Sequence, residues 1–139
     1  MRLFVFIVSL LLFLGCSSTV SKEGLKNLNG YWEIEKVVFP DGNIKEYKVN
    51  TSVDYIQLED TIGFRKKVQP KLNGTYETSD DAENFTILEG KDDYLIRYKT
   101  ELSEWSEKLV ALNSDSFSVI NEEGVRYDYR KFEPMVIME

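Results

Sequence analysis

The chain has no histidine, one cysteine and only three prolines among its 139 residues. Without an imidazole there is no Ser-His-Asp triad, no Cys-His nucleophile and no histidine metal site. A lone cysteine has no internal partner, which excludes a disulfide framework. Alanine occurs only at Ala82 and Ala111, and beyond the first residues no 3.6-residue apolar period is sustained, so long helices are not expected. Basic residues are outnumbered 17 to 24, giving a net charge of −7. Such a balance disfavours nucleic acid, whose phosphates call for clustered Lys and Arg. It also disfavours adhesion of the protein surface to anionic lipid. No apolar run approaches the ~20 residues that a membrane-crossing helix needs.

The strongest positive signal is at the start. Met1-Arg2 is followed by an apolar run over residues 3–14 and then by Gly15-Cys16-Ser17-Ser18. A basic start, a short apolar stretch and a small residue before the cut make a secretory signal. Phe13-Leu14-Gly15-Cys16 resembles the lipobox of bacterial lipoproteins, with Phe13 where leucine is usual. The resemblance implies that residues 1–15 are removed as a signal peptide. Cys16 then becomes the N-terminus and carries a diacylglycerol thioether and an N-acyl chain, palmitate being typical. Each buried CH₂ contributes about 0.8 kcal/mol, so two or more chains form a stable membrane anchor. Ser17, standing where inner-membrane lipoproteins of enterobacteria have aspartate, implies the outer membrane of the cell envelope, on its periplasmic or surface face. Asp60-Thr61-Ile62 resembles a short O-glycosylation motif of Bacteroidetes and points to that lineage.

Residues 16–28 are polar without apolar periodicity and read as a tether. From residue 29 to 133 the chain is a series of short alternating runs separated by turn chemistry. Strands are expected over residues 31–39, 44–49, 53–58, 63–68, 72–77, 84–88, 94–99, 104–112, 116–120 and 125–132. Pro40-Asp41-Gly42-Asn43, Glu89-Gly90-Lys91-Asp92, Asn113-Ser114-Asp115 and Asn121-Glu122-Glu123-Gly124 supply the turns. Asn73-Gly74 marks either a hairpin or an irregular edge. Residues 134–139 are left as a C-terminal tail. Short connections make sequence neighbours antiparallel neighbours in space. The expected fold is all-β, an antiparallel meander of about eight to ten strands. Closure into a barrel removes its edges, and a two-sheet sandwich is the competing architecture.

At the head of the first strand, Gly30-Tyr31-Trp32 resembles the G-x-W signature of lipocalins and of lipocalin-like domains in bacterial lipoproteins. The resemblance implies a lipocalin-like barrel whose closed end is sealed by Trp32, with an arginine of the last strand across the indole. Arg126 and Arg130 are the candidates for that contact. The Asp-Tyr motif of classical lipocalins has Asp93-Tyr94 as its nearest counterpart, which favours the bacterial lipocalin-like group.

Strict alternation puts Trp32, Ile34, Lys36 and Val38 on one face of the first strand. It likewise groups Tyr94, Ile96 and Tyr98; Trp105, Glu107, Leu109 and Ala111; and Val125, Tyr127 and Tyr129. A tyrosine-rich interior follows, either filled with side chains or open to one small ligand. For an open interior the candidate ligand-binding residues are Lys36, Tyr94, Tyr98, Trp105 and Tyr127. The acidic pairs Asp80-Asp81 and Asp92-Asp93 lack calcium-loop spacing, so no metal and no cofactor are expected. Glu104 and Glu107 flank Trp105 without a defined cleft, and Arg65-Lys66-Lys67 reads as an exposed basic face. The chain is expected not to be an enzyme. It is expected to bind a small apolar or amphipathic molecule, or else to serve as an interaction module for another envelope protein.

Overall fold

The computed structural model describes residues 20–79 and 81–133. A short 3-10 helix, Glu23–Leu28, precedes ten strands: β1 Gly30–Val38, β2 Ile44–Glu46, β3 Val53–Glu59, β4 Ile62–Pro70, β5 Tyr76–Thr78, β6 Glu83–Glu89, β7 Tyr94–Lys99, β8 Glu104–Leu112, β9 Ser116–Asn121 and β10 Arg126–Lys131. Eight of them, in the order β1-β3-β4-β6-β7-β8-β9-β10, pair antiparallel, and β10 returns to β1 to close a barrel. The two short strands β2 and β5 lie off this ring as hairpin partners of β1 and β4. This is the closed all-β antiparallel meander expected from the sequence, and the closing β1–β10 ladder sets aside the sandwich. Among the described residues no helix is long and apolar enough to cross a membrane.

The turn chemistry explains the register. Asn73-Gly74 closes the β4–β5 hairpin, with Gly74 at φ 85° and the Asn73 side chain accepting from the Thr75 amide at 3.0 Å. Pairing of Val68 with Thr78 and Pro70 with Tyr76 makes this stretch a hairpin rather than an irregular edge. Inward positions follow from the ladders: Leu58, Gly63 and Phe85 are aligned across β3, β4 and β6. A Cβ on Gly63 would stand 2.4 Å from the Gln57 carbonyl oxygen and 2.7 Å from the Phe85 ring. Backbone cannot yield there as a flexible side chain would. Gly63→Ala is therefore expected to destabilise by about 1–3 kcal/mol, the usual range for overpacking. Urea unfolding would read this as a lower midpoint at unchanged slope.

Two bulges break the alternation. The β1–β10 register shifts between Ile34 and Lys36, and the β8–β9 register shifts between Leu109 and Ala111. Each inserts one residue and turns every later side chain to the other face. After the first, Val37 is buried and pairs with Tyr127, while Lys36 faces outward opposite Asp128. After the second, Leu112 packs on the core in place of Ala111.

The expected tether, residues 16–28, is corrected by the helix. Over residues 23–28 it is part of the domain, since Leu25 and Leu28 are 4% and 1% exposed and pack on the barrel core with Val20. Leucines three apart share a face of a 3-10 turn, so six residues suffice to plug the barrel. The expected signal peptide over residues 1–15, Cys16, Asp80 and the expected tail over residues 134–139 lie outside the described residues.

Candidate functional site

The barrel has two chemically different ends. At the closed end Trp32 is fully buried, and its indole N–H donates to the Leu28 carbonyl at 2.8 Å, tying strand to helix. Phe117 meets the indole edge-on with ring centroids 4.8 Å apart. The expected arginine is not the cation at this ring. Lys131 stands opposite Trp32 in the ladder, its ammonium 4.8 Å from the indole centroid and donating to the Asn29 carbonyl at 3.1 Å. Gly30, at φ 130°, leaves room for that lysine, because a Cβ would lie 2.8 Å from Nζ. Arg126 and Arg130 have the opposite parity on β10 and face outward. Arg130 donates to Glu33 at 2.6 Å, and Arg126 donates to Asp128 at 3.0 Å. Lys36 joins that outer network, 3.7 Å from Asp128, so the first-strand bulge removes it from the interior.

Along the axis the barrel is filled. Phe85, Ile87, Ile96, Leu109, Phe117, Val119 and Tyr129 are each 5% exposed or less and pack together in one core. Tyr94 is buried at the closed end, and Tyr98 lies four residues along the same strand, about 13 Å away. These two tyrosines belong to opposite ends and do not share a site.

The open end carries charge. Arg65, predicted to be exposed, faces inward on β4, with 18% of its side chain accessible. Alternation forbids three consecutive residues from sharing a face, so Lys66 turns outward over Phe64 while Arg65 and Lys67 turn inward. Arg65 contacts Glu83 at 3.1 Å and Glu107 at 3.5 Å, and its guanidinium lies 4.7 Å above the Tyr98 ring. Trp105 stacks on Tyr98, centroids 5.1 Å apart and planes within 12°. Lys67 reaches in to Asp54 at 3.1 Å from a largely exposed position. Tyr127 is half-buried on this inward face, next to Tyr129. Of the sequence candidates, Tyr98, Trp105 and Tyr127 therefore reach the open end. Arg65, Lys67, Asp54 and Glu83 were not anticipated there, although the parity of Arg65 with Gly63 was available as a signal; Glu107 lies on the face that it was expected to share with Trp105. Glu104 and Glu107 point to opposite sides, Glu104 pairing with Arg97 outside, so they make no catalytic pair. Among the described residues no group of three Asp, Glu, Cys or His side chains is placed to hold a metal.

Burial pushes the Glu107 carboxyl above the usual carboxylate range, against the pull of Arg65 and the Tyr98 hydroxyl. Burial likewise raises the Tyr98 and Tyr129 phenols, keeping both neutral. An acid whose folded pKa is raised contributes stability below its ordinary pKa and loses it as pH rises through the raised value. Glu107 thus favours the fold in mild acid over neutrality. Asp128 has the opposite sign. Burial alone would raise it, but hydrogen bonds from Ser118 and Arg126, with the charges of Arg126 and Lys36, hold its carboxyl below the ordinary value. Its contribution is present above the ordinary Asp pKa and is lost as pH falls through the lowered one. Glu107→Gln is expected to flatten the decline in stability from about pH 5 to neutrality, read by urea midpoints across that window.

Beside the mouth, Asp81, Glu83, Asn84, Lys99, Glu101 and Leu102 line an open groove of about 790 Å³. Glu83 belongs both to this groove and to the Arg65 cluster, so groove and mouth meet at that residue.

No family model matches this chain, and no curated protein matches it. Among solved structures it is similar to a lipocalin-like protein from Bacteroides uniformis, at 14% identity and a TM-score of 0.49, covering 76% of this chain and 99% of that one. It is similar to an uncharacterized protein from Bacteroides eggerthii at 15% identity and a TM-score of 0.48, with the same coverage. Apocrustacyanin C1 aligns at 9% identity and a TM-score of 0.39, over 83% of this chain and 68% of its own. The all-β closed barrel itself rests on the strand ladders of this chain.

Proposed function

We propose that this is an envelope lipoprotein, held by acyl chains on Cys16, whose barrel captures a small amphipathic ligand at its open end without chemical conversion. One observation carries the reading: the inward face is apolar and filled at the Trp32 end but aromatic and charged at the other. There Trp105, Tyr127, Arg65 and Lys67 stand partly accessible around the mouth, over the buried Tyr98 ring. Capture would remove apolar ligand surface from water at ~25 cal/mol per Å², with the charged groups fixing the head.

The anchor fits this placement. Val20 packs at the closed end beside residues 89–94, and four residue steps back to Cys16 span at most about 14 Å. Lipid on Cys16 would hold the closed end at the outer membrane and leave the mouth facing away from it. The filled axis favours a second reading, an interaction module for an envelope partner, in which the mouth rim is a protein contact.

Metabolic labelling with an alkyne fatty acid tests the anchor. Label is expected on the wild type and absent from Cys16→Ser; label retained by the variant would sink the lipidation. Native mass spectrometry of the purified protein tests capture. A co-purified small molecule lost on Trp105→Ala supports the ligand reading, and a clean apo mass favours the interaction module.

A further inference from the structure

We infer that the mouth selects a cationic amphiphile, an apolar chain or ring bearing a protonated amine, rather than a fatty acid. This rests on the ligand reading above and names the charge class that the same site takes. The mouth holds Asp54, Glu83 and Glu107 on the acidic side, and the groove that meets it at Glu83 adds Asp81 and Glu101. Arg65, Lys67 and Lys99 are their cations, so the site is two charges short of neutral.

Part of the deficit lies where solvent is least. Asp54 and Glu107 are 4% and 6% exposed, whereas Lys67 has 68% of its side chain in water. Arg65 is the one inward cation with a mostly covered side chain, and it is divided between Glu83 and Glu107. An anionic head group taking Arg65 would have to displace a fixed carboxylate and leave it uncompensated in low dielectric, where such a loss is severe. A protonated amine does the reverse. It relieves the repulsion among the carboxylates and displaces no existing pair. The raised Glu107 carboxyl has the same origin, since one guanidinium shared by two carboxylates does not offset its burial.

The apolar part has matching surfaces. Trp105 stacks on Tyr98 and is half-buried, so its accessible part offers an aromatic surface at the rim for stacking or for a cation–π contact. Leu102, 97% exposed on the β7–β8 turn, lines the groove together with Glu83 and Glu101. A chain lying from Trp105 toward Leu102 would keep its ammonium between Glu83 and Glu101.

Titration of the purified full chain with octylammonium, octanoate and octyl glucoside, each below its micelle concentration, tests this through tryptophan fluorescence. Trp32 is fully buried at the far end, so Trp105 reports. Octylammonium is expected to bind at least about tenfold more tightly than octanoate at low salt, with the gap narrowing as added salt shortens the Debye length. Glu83→Gln with Glu101→Gln should weaken octylammonium more than octyl glucoside. Octanoate or octyl glucoside binding as tightly as octylammonium overturns the charge selection and leaves the ligand reading in place. Failure of all three to bind overturns both.

Discussion

Trp32→Ala is expected to destabilise the protein by about 3–5 kcal/mol, the range for removing a large aromatic from a core. A domain of this size has about 5–15 kcal/mol in total, so the variant would be at the margin of folding. The indole is fully buried and fills the space between β1, Phe117 and the helix. Its N–H satisfies the Leu28 carbonyl, which would lose that donor. Lys131 would lose the ring beneath its ammonium. Trp32→Phe separates these effects, since it keeps an aromatic ring but deletes the donor, for which about 1–2 kcal/mol is expected. Urea unfolding gives the magnitudes. Limited proteolysis should show residues 20–28 cleaved early in both variants, because Leu25 and Leu28 are then held by packing alone. Retained protease resistance of that segment in Trp32→Ala would refute the role of the indole as its clasp.

Strand positions and turns were legible because each depends on local chemistry. Residues 94–99 alternate cleanly and residues 104–109 do so up to the bulge at Val110, and the two runs form β7 and β8 over residues 94–99 and 104–112. Asn73-Gly74 and Asn121-Glu122-Glu123-Gly124 place positive-φ glycines and side-chain acceptors where hairpins turn. What escaped was set by partners distant in sequence. The Glu35 bulge is decided by how β1 pairs with β10, and nothing within residues 30–38 announces it. It alone moves Lys36 from the inner face to Asp128. The helix escaped because its two leucines acquire meaning only against Trp32. In the site, aromatic Tyr98, Trp105 and Tyr127 were legible as inward positions of alternating strands. The charges among them were not, since a buried arginine requires carboxylates from β6 and β8 that sequence order does not bring near. Lys131 in place of arginine follows from the same source: ladder parity, not residue preference, chooses the cation opposite Trp32.

The second large effect belongs to Arg65. Arg65→Met keeps much of the side-chain volume and the apolar contact with Tyr98, but removes the charge shared by Glu83 and Glu107. Deleting one partner of a covered ion pair is expected to cost about 3–5 kcal/mol at neutral pH, mostly as the penalty of a buried carboxylate without a counter-charge. Glu107, with 8% of its side chain accessible, bears that penalty; Glu83, more than a third exposed, is largely relieved by water. The loss therefore depends on pH. Without Arg65 the Glu107 carboxyl rises further, and an acid with a raised folded pKa favours the fold once protonated. The deficit relative to wild type should shrink as pH falls through that raised value and be largest above it. Adding Glu107→Gln should restore most of the lost stability at neutrality, because the second change removes the stranded charge. Urea midpoints of the wild type, both single variants and the double variant at pH 5 and pH 7.5 form the cycle. A coupling energy near zero would show that Arg65 acts by packing on Tyr98 alone. A coupling of several kcal/mol that collapses in acid would identify the Arg65–Glu107 pair as the element holding the mouth in shape.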